Sequence, residues 1–151
     1  MVFYILLISV SIFALYWSYT YRNIATNIIT VGMVVGISMV LVPYQDLTTL
    51  GLYVYMFFVA MALGYGLQAK ELELGSKITI GLMAASILAY WLWVLNHWHG
   101  NVVLFPVITI IVGLFGVVRK HKLKNELGFL AILFVDAIAI LVEQWMKSMY
   151  Y

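Results

Sequence analysis

Six long apolar stretches, separated by short polar breaks, are the feature that most limits how this chain can fold. They run over Val2–Tyr19, Ile24–Val42, Leu47–Ala69, Ile78–Leu95, Val102–Val118 and Leu127–Met146. Each is close to the length of about 20 residues that a helix needs to cross the hydrocarbon core of a bilayer. Only structures that pair all their backbone groups internally are stable there, so each stretch is predicted to be an α-helix. The sequence therefore predicts an all-α, polytopic membrane protein, a bundle of six transmembrane helices with short loops in a lipid bilayer.

The composition supports this class and excludes several others. Only 9% of the residues are charged and 66% are hydrophobic, whereas soluble domains carry about 25% charged residues. A net charge of +2 is too small to indicate a nucleic-acid partner. The chain has no cysteine, which excludes disulfides, thiolate catalysis and cysteine-ligated metals. We expect residues 1–151 to form a single domain, and we expect Val2–Tyr19 to be a retained span because no basic segment or small-residue cleavage site accompanies it.

The basic residues predict the orientation. Seven of the eight lie in the first, third and fifth loops, namely Arg22, Lys70, Lys77, Arg119, Lys120, Lys122 and Lys124; only Lys147 departs from the pattern. The positive-inside rule then makes these loops cytoplasmic and places both termini outside a plasma (inner) membrane. Four tryptophans agree, because they fall where the outer interface is expected: Trp91, Trp93, Trp98 and Trp145.

Small residues predict where helices approach closely. Gly32 and Gly36 have the GxxxG spacing that brings two helix backbones together in membranes. Packing within the chain is one interpretation of this pair. A seam between two copies of the chain, and hence a homo-oligomer, is the other.

A weak internal repeat is a further possibility. Residues Ser11–Ala14 recur in similar form as Ser86–Ala89, and the two copies are three spans apart. An odd number of spans would give the halves opposite orientations, which is the three-plus-three inverted repeat of many transporters. Chance similarity between apolar segments is the alternative.

Asp136, near the middle of the last apolar stretch, is the strongest functional candidate. An ionised aspartate at the bilayer centre costs about 2.5–3.5 kcal/mol, so it must face the bundle interior with a partner or stay protonated. Both states suit a group that couples to protons or cations. The structural alternative is a protonated Asp136 that donates a hydrogen bond to a hydroxyl of Ser86, Thr30 or Thr109.

Glu143 follows Asp136 by two helical turns and so lies on the same helix face. This placement predicts that Glu143 forms an outer approach to Asp136. Lys147 stands four residues further on, however, and a simple helical ion pair would also explain both charges.

His97 and His99 are weak candidates for a metal site, because zinc sites need at least one or two further ligands. We therefore expect no metal and no cofactor. The sequence has no phosphate-binding loop, no dinucleotide fingerprint and no serine–histidine–acid arrangement. No nucleophile has a base at usable spacing, so an enzyme is not expected.

These observations give three hypotheses from different classes. The first is a small transporter or channel component that uses Asp136, with Glu143, for proton or cation coupling. The second is a non-transporting subunit, immunity protein or scaffold that binds another membrane protein through its helix faces. The third is a lipid- or quinone-modifying membrane enzyme.

Overall fold

A computed structural model describes residues 2–118 and 122–149, and over these ranges the chain forms six α-helices. They are α1 (Val2–Thr20), α2 (Ile24–Val40), α3 (Gln45–Gln68), α4 (Leu74–Leu95), α5 (Leu104–Val118) and α6 (Leu127–Met149). The predicted all-helical fold is confirmed. Arg119 and Lys120, which contribute to the predicted orientation, lie outside the described residues.

The helix ends differ from the predicted spans by a few residues. The largest difference at a helix start is in α4, which begins at Leu74 rather than at Ile78. Hydropathy marks the length that lipid can cover, whereas backbone hydrogen bonds continue into the polar segment beside it. The Lys77 N–H, for example, donates to the Glu73 carbonyl at 3.0 Å across this added turn. The apolar pattern therefore locates each helix but not its last turn.

Four helices in the described part of the chain are long and apolar enough to cross a membrane: those at Phe3–Thr20, Gln45–Gln68, Leu74–Leu95 and Leu127–Met149. Such helices indicate a membrane location. The remaining two are shorter, with 17 residues in α2 and 15 in α5. At a rise of 1.5 Å per residue they extend about 26 Å and about 22 Å, against a hydrocarbon core of about 30 Å.

Helix α6 occupies the centre of the fold. It packs against α1, α2, α4 and α5. Half of the residues in its most apolar 18-residue segment are buried. Contacts at two levels show that α4 and α5 are antiparallel, since Gly113 and Gly116 of α5 meet Met83 and Thr79 of α4. The side chains on one face of α6, among them Leu133, are fully buried in this packing.

The contact between α2 and α3 depends on glycine. A Cβ added at Gly36 would lie 2.7 Å from the backbone nitrogen of Tyr55, and one added at Gly51 would lie 2.8 Å from the Gly36 carbonyl oxygen. Gly32 faces the ring of Phe58 at similarly close range. Gly32 and Gly36, the GxxxG pair, therefore lie in a contact within one chain, where Gly36 meets backbone and Gly32 meets the Phe58 side chain.

Two interactions join the loops at the end of the fold where α6 begins. The Trp17 indole nitrogen donates to the Lys124 carbonyl at 2.7 Å, which fastens the end of α1 to the segment before α6. Lys122 lies 3.5 Å from Glu73, and both side chains are largely exposed. We call this end, formed by the connections after α1, α3 and α5, the basic end.

Candidate functional site

Asp136 lies ten residues into α6 and is only 3% exposed. Its Oδ2 atom accepts a hydrogen bond from the Tyr55 hydroxyl of α3 at 2.8 Å. The same oxygen accepts a second bond from the Trp91 indole nitrogen of α4 at 3.3 Å. The carboxyl group is thus held between three helices, in the interior of the bundle.

These partners differ from the hydroxyls that the sequence indicates as acceptors for a protonated Asp136, and here Asp136 accepts rather than donates. The hydroxyls of Thr30 and Thr109 donate instead to carbonyls of their own helices, at Thr26 and Phe105. An indole N–H can only donate, so the oxygen facing Trp91 must be an acceptor. The arrangement of two donors on Oδ2 is suited to a carboxylate rather than to a hydroxyl at that atom.

Trp91 also departs from its predicted place at the outer interface, because its ring is partly buried and its polar atom faces Asp136. Tyr55 is 4% exposed and carries no charge that would draw attention in the sequence. Neither residue could be identified from hydropathy, since tryptophan and tyrosine in an apolar stretch are most readily assigned to a membrane interface, where they are enriched. The helical periodicity of α3 does not identify Tyr55 either, because apolar residues occur on every side of that helix.

Asp136 has no cationic partner among the described residues. The ion pairs found there join Lys122 to Glu73 and Lys147 to Glu143, both at exposed positions. An isolated carboxylate in a low-dielectric interior is costly unless it is compensated. The two neutral hydrogen bonds offset part of this cost, and uptake of a proton or a small cation would offset the rest.

Glu143 lies nearer the end of α6 and pairs with Lys147 at 2.7 Å. The side chains of Glu143 and Lys147 are 44% and 64% exposed. The ion-pair alternative given by the sequence is therefore the arrangement found. The role of Glu143 in ion coupling stays a prediction.

Because this pair is exposed, we predict that Glu143→Gln lowers the free energy of unfolding by less than about 0.5 kcal/mol. Unfolding in mixed detergent micelles, followed by far-UV circular dichroism at low and at high salt, measures the change. A loss well above that value, or one that salt does not reduce, would show that Glu143 makes a buried interaction in the folded protein.

A second buried acid, Glu126, lies in the polar break between the fifth and sixth apolar stretches of the sequence. It is 2% exposed, and its Oε1 atom accepts a hydrogen bond from the Tyr65 hydroxyl at 2.8 Å. Its carbonyl accepts from the Leu130 N–H, so Glu126 immediately precedes the first turn of α6. An acid at that position is favoured by the helix dipole. This preference for acids at helix starts is the one signal in the sequence that could have separated Glu126 from the loop.

The two tyrosine–acid pairs have a common register. Tyr55 and Tyr65 are ten residues apart on α3, and Asp136 and Glu126 are ten residues apart on α6. Because the two helices run in opposite directions, the pairs lie side by side at two levels, about 15 Å apart along the helix axes. Between these levels lies a layer of fully buried apolar side chains: Val59, Ala62, Phe129 and Leu133.

Polar groups continue from Asp136 in the other direction, away from the basic end. Tyr90, the neighbour of Trp91 on α4, is 6% exposed and its hydroxyl interacts with the Gln144 side chain. The rings of Tyr90 and Trp91 meet edge to face, with centroids 5.2 Å apart. Gln144 is half-buried next to the exposed pair of Glu143 and Lys147. A series of polar side chains thus leads from the surface to the vicinity of Asp136.

The histidines lie apart from this site. His97 and His99 are exposed in the connection between α4 and α5. Within residues 2–118 and 122–149, no three side chains of histidine, cysteine, aspartate or glutamate are grouped as metal ligands.

Fold and site together define the class: an all-α protein with membrane-compatible helices and a buried, hydrogen-bonded carboxylate in its central helix. Comparison of the chain with models of protein families, with characterised proteins and with solved structures gave no match. A function must therefore be inferred from the site.

Proposed function

We propose that this protein is a transporter or channel component that couples to protons or small cations through Asp136. The observation that carries the proposal is a central carboxylate that is buried, accepts two neutral hydrogen bonds and forms no ion pair among the described residues. Such a group gains stability when a proton or a cation neutralises it. The fraction of Asp136 that holds a proton or cation therefore depends on the concentration of that ion, as coupling requires.

The proposal includes a six-span arrangement in the plasma (inner) membrane, with the basic end cytoplasmic and both termini outside. The short helices α2 and α5 would then cross with local thinning of the bilayer, or with their polar flanks drawn inward, each at modest cost. They occupy corresponding positions, second in each set of three helices. Short helices interrupted by glycine or proline at corresponding places are typical of transporters built from inverted repeats, and this supports the repeat that the sequence indicates weakly.

The surroundings of Asp136 support access from the outer side. Gln144 and Tyr90 offer polar atoms between the surface and the carboxyl group. Toward the basic end, the packed layer around Phe129 and Leu133 offers none. In this conformation Asp136 would exchange ions with the outside, and Glu143 would attract cations to the entrance.

Glu126 would serve the opposite side. It sits at the basic end with its own tyrosine donor, about 15 Å from Asp136 along the helices. Transfer between the two acids requires the apolar layer to open, which a relative shift of α3 and α6 would achieve. The protein would thereby avoid a continuous leak, because the polar groups do not form an uninterrupted path in the packed state.

Flux measurements in liposomes test this proposal. Purified protein is reconstituted with an internal pH indicator or a cation indicator, and a membrane potential set with potassium and valinomycin drives the flux. We predict ion uptake by the wild type and uptake at the level of protein-free liposomes for Asp136→Asn. The asparagine keeps the volume of the side chain but cannot change its charge.

Two further variants serve as controls. Asp136→Glu retains an ionisable group and should keep part of the flux, which separates loss of chemistry from loss of folding. Glu126→Gln should reduce flux in both directions, because Glu126 is the acid proposed to take up the ion at the basic end. Equal flux in the wild type and Asp136→Asn, or no flux of protons or cations in either, would contradict the proposal.

The partner-binding alternative is favoured by one observation. Gly64 on α3 and Gly81 on α4 face open space, since a Cβ at either would meet none of the described atoms within 4 Å. Other glycines, such as Gly36 and Gly66, are used in contacts within the chain. An open small-residue surface is suited to a helix of another membrane protein. Co-purification with one stoichiometric membrane protein, lost in Gly64→Leu, would support this second function, and a stable homo-oligomer would count against it.

A further inference from the structure

A crevice of about 600 Å³ opens on the side of the fold away from α3. Helix α6 forms its floor from Leu127 to Val135, α4 contributes Thr79 and Met83, and the sides are formed by the end of α1 and by α5. At 1.5 Å per residue, the floor is about 12 Å long. The crevice begins at the basic end and runs along α6 toward the middle of that helix.

The lining of this crevice is almost entirely apolar. Leu130, Ala131 and Phe134 point into it from α6, and Leu114 and Val117 border it from α5. Leu114 and Val117 are 53% and 73% exposed, so the crevice communicates sideways with whatever surrounds the helices. In a bilayer the neighbouring molecules at this depth are acyl chains.

The mouth of the crevice has a different chemistry. Lys124 lines it, and this lysine makes no ion pair within 4 Å in the part of the chain that the structure describes. The hydrogen bond from Trp17 to the Lys124 carbonyl fixes the backbone at that point. The rings of Trp17 and Tyr21 stack beside it with centroids 4.8 Å apart. Aromatic rings and a basic side chain next to an apolar slot are typical of the level of lipid headgroups.

We propose that this crevice binds one anionic phospholipid, with an acyl chain against Ala131 and Phe134 and the headgroup phosphate at Lys124. Charge complementarity selects this occupant. A zwitterionic lipid would fill the apolar part equally well but would gain less from the positive charge of Lys124. The site is separate from Asp136, whose carboxyl group faces α3 and α4, so the proposal does not depend on ion flux.

Native mass spectrometry of the purified protein tests this inference. The protein is titrated in detergent with phosphatidylglycerol and, separately, with phosphatidylcholine of the same acyl chains. We expect one phosphatidylglycerol to be retained in preference to phosphatidylcholine. Lys124→Gln should weaken that binding about fivefold, the factor that corresponds to one basic residue at an anionic surface. Lys70→Gln removes an exposed lysine at the same end but outside the crevice and should leave binding unchanged.

A second variant tests the apolar part. Ala131→Phe fills the crevice floor and should abolish retention of the bound lipid, whereas Ala60→Phe, on an exposed position of α3, should not. Thermal unfolding in detergent establishes that both variants are folded. Equal retention of the two lipids by the wild type would overturn the proposal, and so would unchanged retention in Lys124→Gln or in folded Ala131→Phe.

Discussion

Replacing Gly36 by alanine is expected to destabilise the fold by about 1–3 kcal/mol, the usual cost of overpacking a well-packed interior. The added Cβ would lie 2.7 Å from the backbone nitrogen of Tyr55 and 2.9 Å from its Cα. A backbone cannot rotate away as a side chain can, so α2 and α3 would have to separate. The loss should appear although alanine favours helix over glycine by about 1 kcal/mol.

The matched controls are Gly64→Ala and Gly81→Ala. Both glycines are interior to helices, and an added Cβ at either would meet no described atom within 4 Å. We therefore expect these variants to be neutral or slightly more stable. Unfolding by sodium dodecyl sulfate in mixed micelles measures all three. If Gly36→Ala has the same free energy of unfolding as Gly64→Ala, then α2 and α3 are further apart at Gly36 than the 2.7 Å contact requires.

The consequence of this variant should extend beyond stability. The residue that Gly36 touches is Tyr55, and the Tyr55 hydroxyl donates to Asp136 at 2.8 Å. Displacing the α3 backbone by a few tenths of an ångström lengthens that hydrogen bond. Under the proposed function, Gly36→Ala should lower ion flux by more than its fraction of unfolded protein explains.

The second large effect is expected for Tyr55→Phe, which removes one of the two donors to Asp136. Hydrogen bonds between neutral groups in membrane proteins contribute about 0.6 kcal/mol on average and at most about 1.7 kcal/mol. A bond to a carboxylate in a position that is 3% exposed belongs at the upper end of that range. We expect a loss of about 1.5 kcal/mol in the free energy of unfolding.

A double-mutant cycle with Asp136→Asn isolates this interaction. If the bond to the carboxylate accounts for the loss, Tyr55→Phe should cost clearly less in the Asp136→Asn background, because a neutral amide is a weaker acceptor. Tyr65→Phe is the comparison for specificity, since it breaks the equivalent bond to Glu126 at the other level. Its effect should be additive with Asp136→Asn. Additivity for Tyr55→Phe as well would mean that Tyr55 and Asp136 do not interact.

The sequence predicted the helices well because lipid imposes a length and an apolar composition on anything that crosses it. For Asp136 it gave two possibilities, an interior position with a partner or a protonated state, since a charge cannot face acyl chains cheaply. Both predictions depend only on where apolar and charged residues stand along the sequence, and not on which helices are neighbours. The boundaries of α2 and α5, and hence their short lengths, required the structure, because residues such as Val42 and Val102 are apolar but lie outside the helices.

The partners of Asp136 were not predictable in the same way. Tyr55 and Trp91 are separated from it by 81 and 45 residues, and contact over such distances depends on which helices are neighbours. Helices packed in lipid have no hydrophobic driving force to indicate an inward face, so their periodicity carries little information. Glu126 was missed for a different reason, because its position beside Lys124 and Asn125 gives it the appearance of a solvated loop residue.

The central place of α6 has a bearing on how the molecule is made. All five other helices precede it in the chain, so they leave the ribosome earlier. At a synthesis rate of about 5–20 residues per second, Tyr55 and Trp91 are made several seconds before Asp136. In the proposed six-span arrangement the acid would therefore enter the bilayer after its hydrogen-bond donors, and the helices already assembled would reduce the cost of inserting a charged segment.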